Sequence, residues 1–171
     1  MTTVSVNTSA HSTVYVASNL LRGVKQLVRL SGLSTARLVG DWQVLEAGCA
    51  TWLETRDLRR LVLEVYDTCL PYGADLVGRF DFDIDYSYYD DGDGDLWMDP
   101  ATVEWTVRKN GSYPAACTYR LVADTRPGRP DVPGWTGTSF RSTAGFERRS
   151  AGTAIGGGSL GAQLSYYALR T

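Results

Sequence analysis

Histidine is nearly absent: His11 stands alone in 171 residues, so one chain can assemble neither a histidine metal cage nor a two-histidine mechanism. Cysteine is almost as scarce. Cys49, Cys69 and Cys117 are odd in number, lack CxxC spacing and follow no signal-peptide pattern, which predicts reduced, core-filling thiols and a cytoplasmic protein. No apolar run approaches the roughly 20 residues that span a bilayer, so no membrane partner is expected. Nor is charge in excess, since 17 Lys+Arg against 19 Asp+Glu leave a net charge of -2. That balance removes the electrostatic argument for direct nucleic-acid binding. Also missing are a GxSxG elbow, a Walker lysine loop and a GxGxxG after a strand. With His11 as the only histidine to serve as base, nucleophilic catalysis is not expected, and the chain reads as non-enzymatic and free of cofactors.

What is present is enough apolar material, 43% of residues, for one packed domain. The charge is unevenly placed. Residues 1–78 carry 7 basic and 7 acidic side chains, 79–105 carry 1 and 9, and 106–171 carry 9 and 3. An acidic middle and a basic tail can attract each other within the fold or between copies.

Val16, Leu20, Val24, Leu27 and Val28 recur at three- and four-residue steps and predict a helix over 12–30, with Gly32 as its C-terminal cap and the polar residues before it a frayed arm. Ser34 opens a second helical stretch with Leu38, Trp42, Leu45, Cys49 and Leu53 on one stripe, which Gly40 and Asp41 break in two. Residues 59–66 are dense in Leu and Val, and 76–88 alternate Phe80, Phe82, Ile84 and Tyr86 with Arg79, Asp81, Asp83 and Asp85, so a hairpin follows across the Pro71–Gly73 turn. Asp81, Asp83 and Asp85 are expected to keep an exposed sheet face soluble. Asp99 and Pro100 start a helix that ends before Gly111, and a strand follows at 117–123. From 125 onward Gly and Pro dominate, predicting a long loop closing with a strand at 160–169.

Two segments carry candidate chemistry. Asp81, Asp83 and Asp85 together with the DDGDGD run at 90–95 could offer oxygen ligands to a hard cation, as a metal-binding module or enzyme. The run lacks the Gly and terminal Glu positions of an EF-hand loop, and Asp-Gly pairs equally serve solvated turns. The tail, 125–171, holds more aromatic and basic residues than a linker needs; loops of this length without their own core are usually functional or disordered.

The segments LVRLSGL at 27–33, DLRRLVLEVY at 57–66, DGDGDLW at 91–97 and TRPGRPDVPGW at 125–135 resemble those of the HORMA domain, and more closely its bacterial branch encoded in CBASS antiphage operons. That resemblance implies an α+β fold: a single HORMA-like domain over 1–171, with N-terminal helices packed on an antiparallel sheet (1–124) and a C-terminal safety-belt segment (125–171). It implies a signalling adaptor that captures a closure-motif peptide, binds and activates a CD-NTase (a cyclic-oligonucleotide synthase), and is remodelled by an AAA+ ATPase engaging the N-terminus. A second HORMA protein is a further implied partner, and this chain's own tail could then be the closure peptide. Mapped onto this sequence, Arg126, Arg129, Trp135, Phe140, Tyr166 and Tyr167 are the expected peptide- or partner-binding residues, Pro127, Pro130 and Pro133 stiffen the start of the belt, and 156–158 supply a hinge.

Overall fold

A computed structural model describes the backbone of residues 2–6, 9–86, 94–157 and 160–170, and the side chains of 13–86, 97–157 and 160–170. The predicted first helix is α1 (Ser9–Leu30). Its stripe of Val16, Leu20, Val24, Leu27 and Val28 is completely buried. Gly32, at φ +84°, lets the chain turn so that Leu33 N–H reaches the Val28 carbonyl, a cap that only a residue without a Cβ adopts freely. The polar arm is not frayed as expected: residues 9–12, His11 included, are helical, and β1 (Thr2–Val6) precedes them.

The second helical stretch breaks at Asp41 into α2 (Ala36–Gly40) and α3 (Trp42–Glu54). Then come β2 (Leu58–Asp67), β3 (Leu76–Tyr86), β4 (Gly94–Met98) and α4 (Pro100–Asn110). Asp99 caps α4 by accepting from Ala101 N–H at 3.0 Å. The chain continues with β5 (Cys117–Thr125), β6 (Phe146–Gly156) and β7 (Leu160–Leu169).

All seven strands form one antiparallel sheet in the order β1-β4-β6-β7-β3-β2-β5. One face packs on α1, α3 and α4. It carries Leu61, Leu63 and Val65 of β2, Phe80 and Phe82 of β3, Leu164 and Tyr166 of β7, and Tyr119 of β5, all buried.

The tail departs from expectation. It is not one loop closing in one strand but the β6–β7 hairpin preceded by an irregular segment, 126–145. The sequence hides β6 because Glu147, Arg148, Arg149 and Ser150 are all exposed and the register shifts around Gly152, which erases the period of two. Gly156 ends β6 and Gly157 begins the turn toward β7; Gly158 lies outside the described residues.

Two further expectations are corrected. Asp81 is fully buried rather than on a solvated face, because Arg79 from its own strand (Nε to Oδ1, 2.7 Å) and Arg60 from β2 (3.4 Å) pair with it. Cys49 and Cys117 are buried, whereas Cys69, in the β2–β3 turn, is exposed.

Candidate functional site

β5 is the last strand of the sheet, bonded to β2 on one side only. The Tyr119 carbonyl accepts from the Arg37 guanidinium of α2 at 3.4 Å, so it points away from β2. By the alternation of an antiparallel ladder, the backbone groups of Leu121 and Ala123 point the same way. Among the described residues, no backbone–backbone bond outside the helices and strands involves either. An unpaired edge of this kind is a template for another strand.

The 126–145 segment runs around this edge without pairing with it. Arg126 N–H donates to the Asp57 carbonyl at 2.8 Å. On the helix side, Trp52 Nε1–H donates to the Pro130 carbonyl (2.8 Å) and Trp135 Nε1–H to the Val44 carbonyl (2.9 Å). The two indoles meet edge to face at 5.0 Å, and the Arg129 guanidinium lies 4.9 Å above the Trp52 ring. On the other side, Arg120 of β5 donates to Thr138 Oγ1 (2.9 Å) and the Ser139 carbonyl (2.5 Å). The segment therefore passes from the helix face, around β5, to the outer face of the sheet.

Two cavities lie between the edge and the segment. One, of about 330 Å³, is lined by Arg37, Leu38, Leu45, Tyr119, Leu121 and Trp135 among others. The second, of about 240 Å³, is bounded by Trp52, Ala123, Arg129, Trp135 and Phe140. A smaller one of about 200 Å³, at Leu33, Arg37 and Cys117, continues along the start of β5. The walls combine aromatic surface with a few polar groups, the mixture that orients a bound chain.

Past the edge the segment meets a buried ionic cluster. Arg141 Nη1 and backbone N lie 2.9 and 2.8 Å from the two Glu64 carboxylate oxygens, and its Nε lies 2.9 Å from Asp75 Oδ1. Arg120 Nε shares Glu64 at 2.6 Å. Tyr66 and Tyr72 stack on the Arg141 guanidinium at 4.0 and 4.9 Å. Burial alone would raise the Asp75 pKa, but bonds to and charge from Arg141, with the backbone N–H groups of Asp75 and Gly73, outweigh it and hold the carboxyl below its ordinary range.

Of the six residues the sequence pointed to, Arg129, Trp135 and Phe140 line the second cavity. Arg126 is exposed at the start of the segment. Tyr166 is 3% exposed and packs edge to face on Trp105 of α4, and Tyr167 covers Arg79 at 4.8 Å; both sit on β7, three strands from the open edge. Leu38, Leu45, Trp52, Tyr119 and Leu121 join the site without having been singled out for it, because nothing local in sequence reports which strand ends as an edge. The acidic alternative gains no geometry: among the described residues no group of three or more His, Cys, Asp or Glu is placed to hold a metal, and the side chains of the 90–95 run lie outside them.

Comparison with known proteins places the architecture. The family model for bacterial HORMA domain 2 matches residues 1–170. No protein of curated function matches by sequence. Among solved structures, C. elegans HTP-2 bound to a HIM-3 closure motif is similar at TM-score 0.70 and 13% identity, over 95% of this chain and 92% of that one. The HORMA-deltaN complex with CdnC from E. coli MS115-1 is similar at TM-score 0.65 and 9% identity, over 98% and 93%. A chain of the mitotic checkpoint complex is similar at TM-score 0.68 and 8% identity, over 96% and 98%.

Proposed function

The chain belongs to the bacterial HORMA domain 2 family, and from that premise we propose that it is a signalling adaptor whose 126–145 segment is a safety belt holding a closure peptide against β5. The observation that carries this is the open β5 edge, with Tyr119, Leu121 and Ala123 facing cavities walled by Trp135 and Phe140. An extended peptide entering there gains main-chain hydrogen bonds from the edge and specificity from alternate side chains. Because the belt is fastened on both faces of the sheet, the peptide cannot leave sideways until the belt lifts, which makes release slow.

In this reading 1–124 is the core and 125–171 the belt region, of which β6 and β7 are built into the sheet. β7 lies between β6 and β3, so lending the tail to a second HORMA protein would strip a central strand; capture is favoured over donation. The peptide-bound form binds and activates a CD-NTase, a partner class supported by the E. coli complex with CdnC. An AAA+ ATPase pulling on the N-terminus would first peel β1 from β4, at the sheet edge opposite the groove.

The test is to pan a displayed random-peptide library on the full chain and read amide exchange with the binders. Protection of Tyr119, Leu121 and Ala123 by tenfold or more is expected. If no binder protects these amides, the groove reading fails. Addition of such a binder should raise cyclic-oligonucleotide synthesis by the cognate CD-NTase.

A further inference from the structure

Resting on the groove reading above, we infer that Glu64, Arg120, Arg141 and Asp75 form the clasp of the belt, and that the belt opens by breaking this cluster at 138–141. Glu64 is 0% exposed, in the middle of β2, where its strand neighbours are Arg79 of β3 and Arg120 of β5. A carboxylate taken wholly out of water needs compensation for every lone pair. It finds that compensation in β5 and the belt together: one oxygen accepts from the side chains of Arg120 of β5 and Arg141 of the belt, the other from the Arg141 backbone N–H.

The same two arginines hold three positions of the belt. Arg120 grips Thr138 and Ser139, and Arg141 is itself a belt residue, 7% exposed and sandwiched by Tyr66 and Tyr72. Lifting 138–141 leaves Glu64 with Arg120 alone, takes both Arg141 bonds from Asp75 and frees two Arg120 donors together. The hydrogen bonds on the helix side, Trp52 to Pro130 and Trp135 to Val44, are neutral indole bonds, of roughly half the strength of charge-assisted ones, set beside the Trp52–Trp135 ring contact and Arg129 over Trp52. The charge-assisted hydrogen bonds of the belt are thus concentrated at 138–141, which is why we place its opening there. A charged clasp also suits repeated opening, because its members rehydrate when parted, whereas an apolar plug of equal hold would expose a sticky patch.

The Arg141 amide reports the clasp directly, since its N–H donates to Glu64. Residue-resolved amide exchange on the peptide-free full chain, wild type against Arg141→Met and Arg141→Lys, tests the inference. In Arg141→Met the residue 141 amide should exchange at least tenfold faster relative to its intrinsic rate, while those of β2, β3 and α1 stay within threefold; Arg141→Lys should fall between. Glu64→Gln should behave like Arg141→Met if it folds, and Arg141→Met carries the test if it does not. A change below threefold at the residue 141 amide, or an equal acceleration throughout the chain, overturns the clasp. No peptide is used, so the clasp can fail while peptide capture at β5 stands, and peptide capture can fail while the clasp stands.

Discussion

Gly48 of α3 leaves the space that the Trp135 indole fills: a Cβ at Gly48 would collide with Nε1, Cε2 and Cζ2 of that ring. Helix propensity alone favours Gly48→Ala by about 1 kcal/mol, yet the indole has no slack, since its N–H is held by the Val44 carbonyl and its face by Trp52. Overpacking against a ring held this closely costs toward the upper end of about 1–3 kcal/mol, which leaves a net loss of about 1–2 kcal/mol. The substitution should therefore lower the unfolding midpoint by several degrees, at roughly 2–4 °C per kcal/mol for a chain of this size, and red-shift tryptophan emission. A variant as stable as wild type or more so would show that Trp135 is not seated in this niche.

Proline scanning of β5 separates the free edge from the paired one. Val122 and Arg120 face Val62 and Glu64 across the ladder, whereas Leu121 presents its N–H to the groove, the side on which proline is tolerated in an edge strand. Val122→Pro should cost at least about 1–3 kcal/mol by orphaning a ladder carbonyl, and Leu121→Pro should cost less in urea titration. Leu121→Pro should also abolish the peptide protection of neighbouring amides. Equal losses at the two positions would contradict the assigned alternation.

Much of the architecture can be read from the chain because its signals are local. The α1 stripe, the break at Asp41, the Asp99 cap and the β2–β3 alternation each follow from residues within one or two turns of each other. β6 cannot be read this way: Glu147 to Ser150 carry no apolar alternation and pair only because β7 lies beside them. The site is half legible for the same reason. Trp135 and Phe140 stand out as aromatics in a Gly- and Pro-rich segment, while Tyr119 and Leu121 look like any core strand until the strand order makes β5 an edge. Alternation gives Asp81 a face but not its depth: only the arrangement of Arg60 and Arg79 reveals that this position is paired and buried, while Asp85 on the same face is exposed.

Thiol chemistry should distinguish the three cysteines. Burial, reinforced by Glu46, pushes the Cys49 thiol up to about 12. Burial, then Asp67 and Cys69, also raises Cys117, and Cys69 is exposed. Because the thiolate is the reactive species, a disulfide reagent at pH 8 should titrate one fast thiol in the native protein and all three in denaturant. Cys69→Ser should remove the fast one. Two or more fast thiols would mean that α3 or the start of β5 opens far more readily than its packing implies.

Acid should loosen the belt before it unfolds the sheet. Arg141 outweighs burial and holds the folded Asp75 pKa below the ordinary aspartate value of about 4. A depressed carboxylate pKa gives stability that is complete above the unfolded value and lost as pH falls through the folded one. Asp75→Asn removes this contribution at all pH values. The stability difference between wild type and Asp75→Asn should therefore be constant from pH 7 to about 5 and shrink steadily below pH 4, measured by urea unfolding at each pH. In the same range the Arg141 amide of the wild type should lose protection ahead of β2 amides, because protonated Asp75 no longer offers Arg141 a charged partner. A difference that grows on acidification would reverse the sign and exclude Arg141 as the group that sets the Asp75 ionisation.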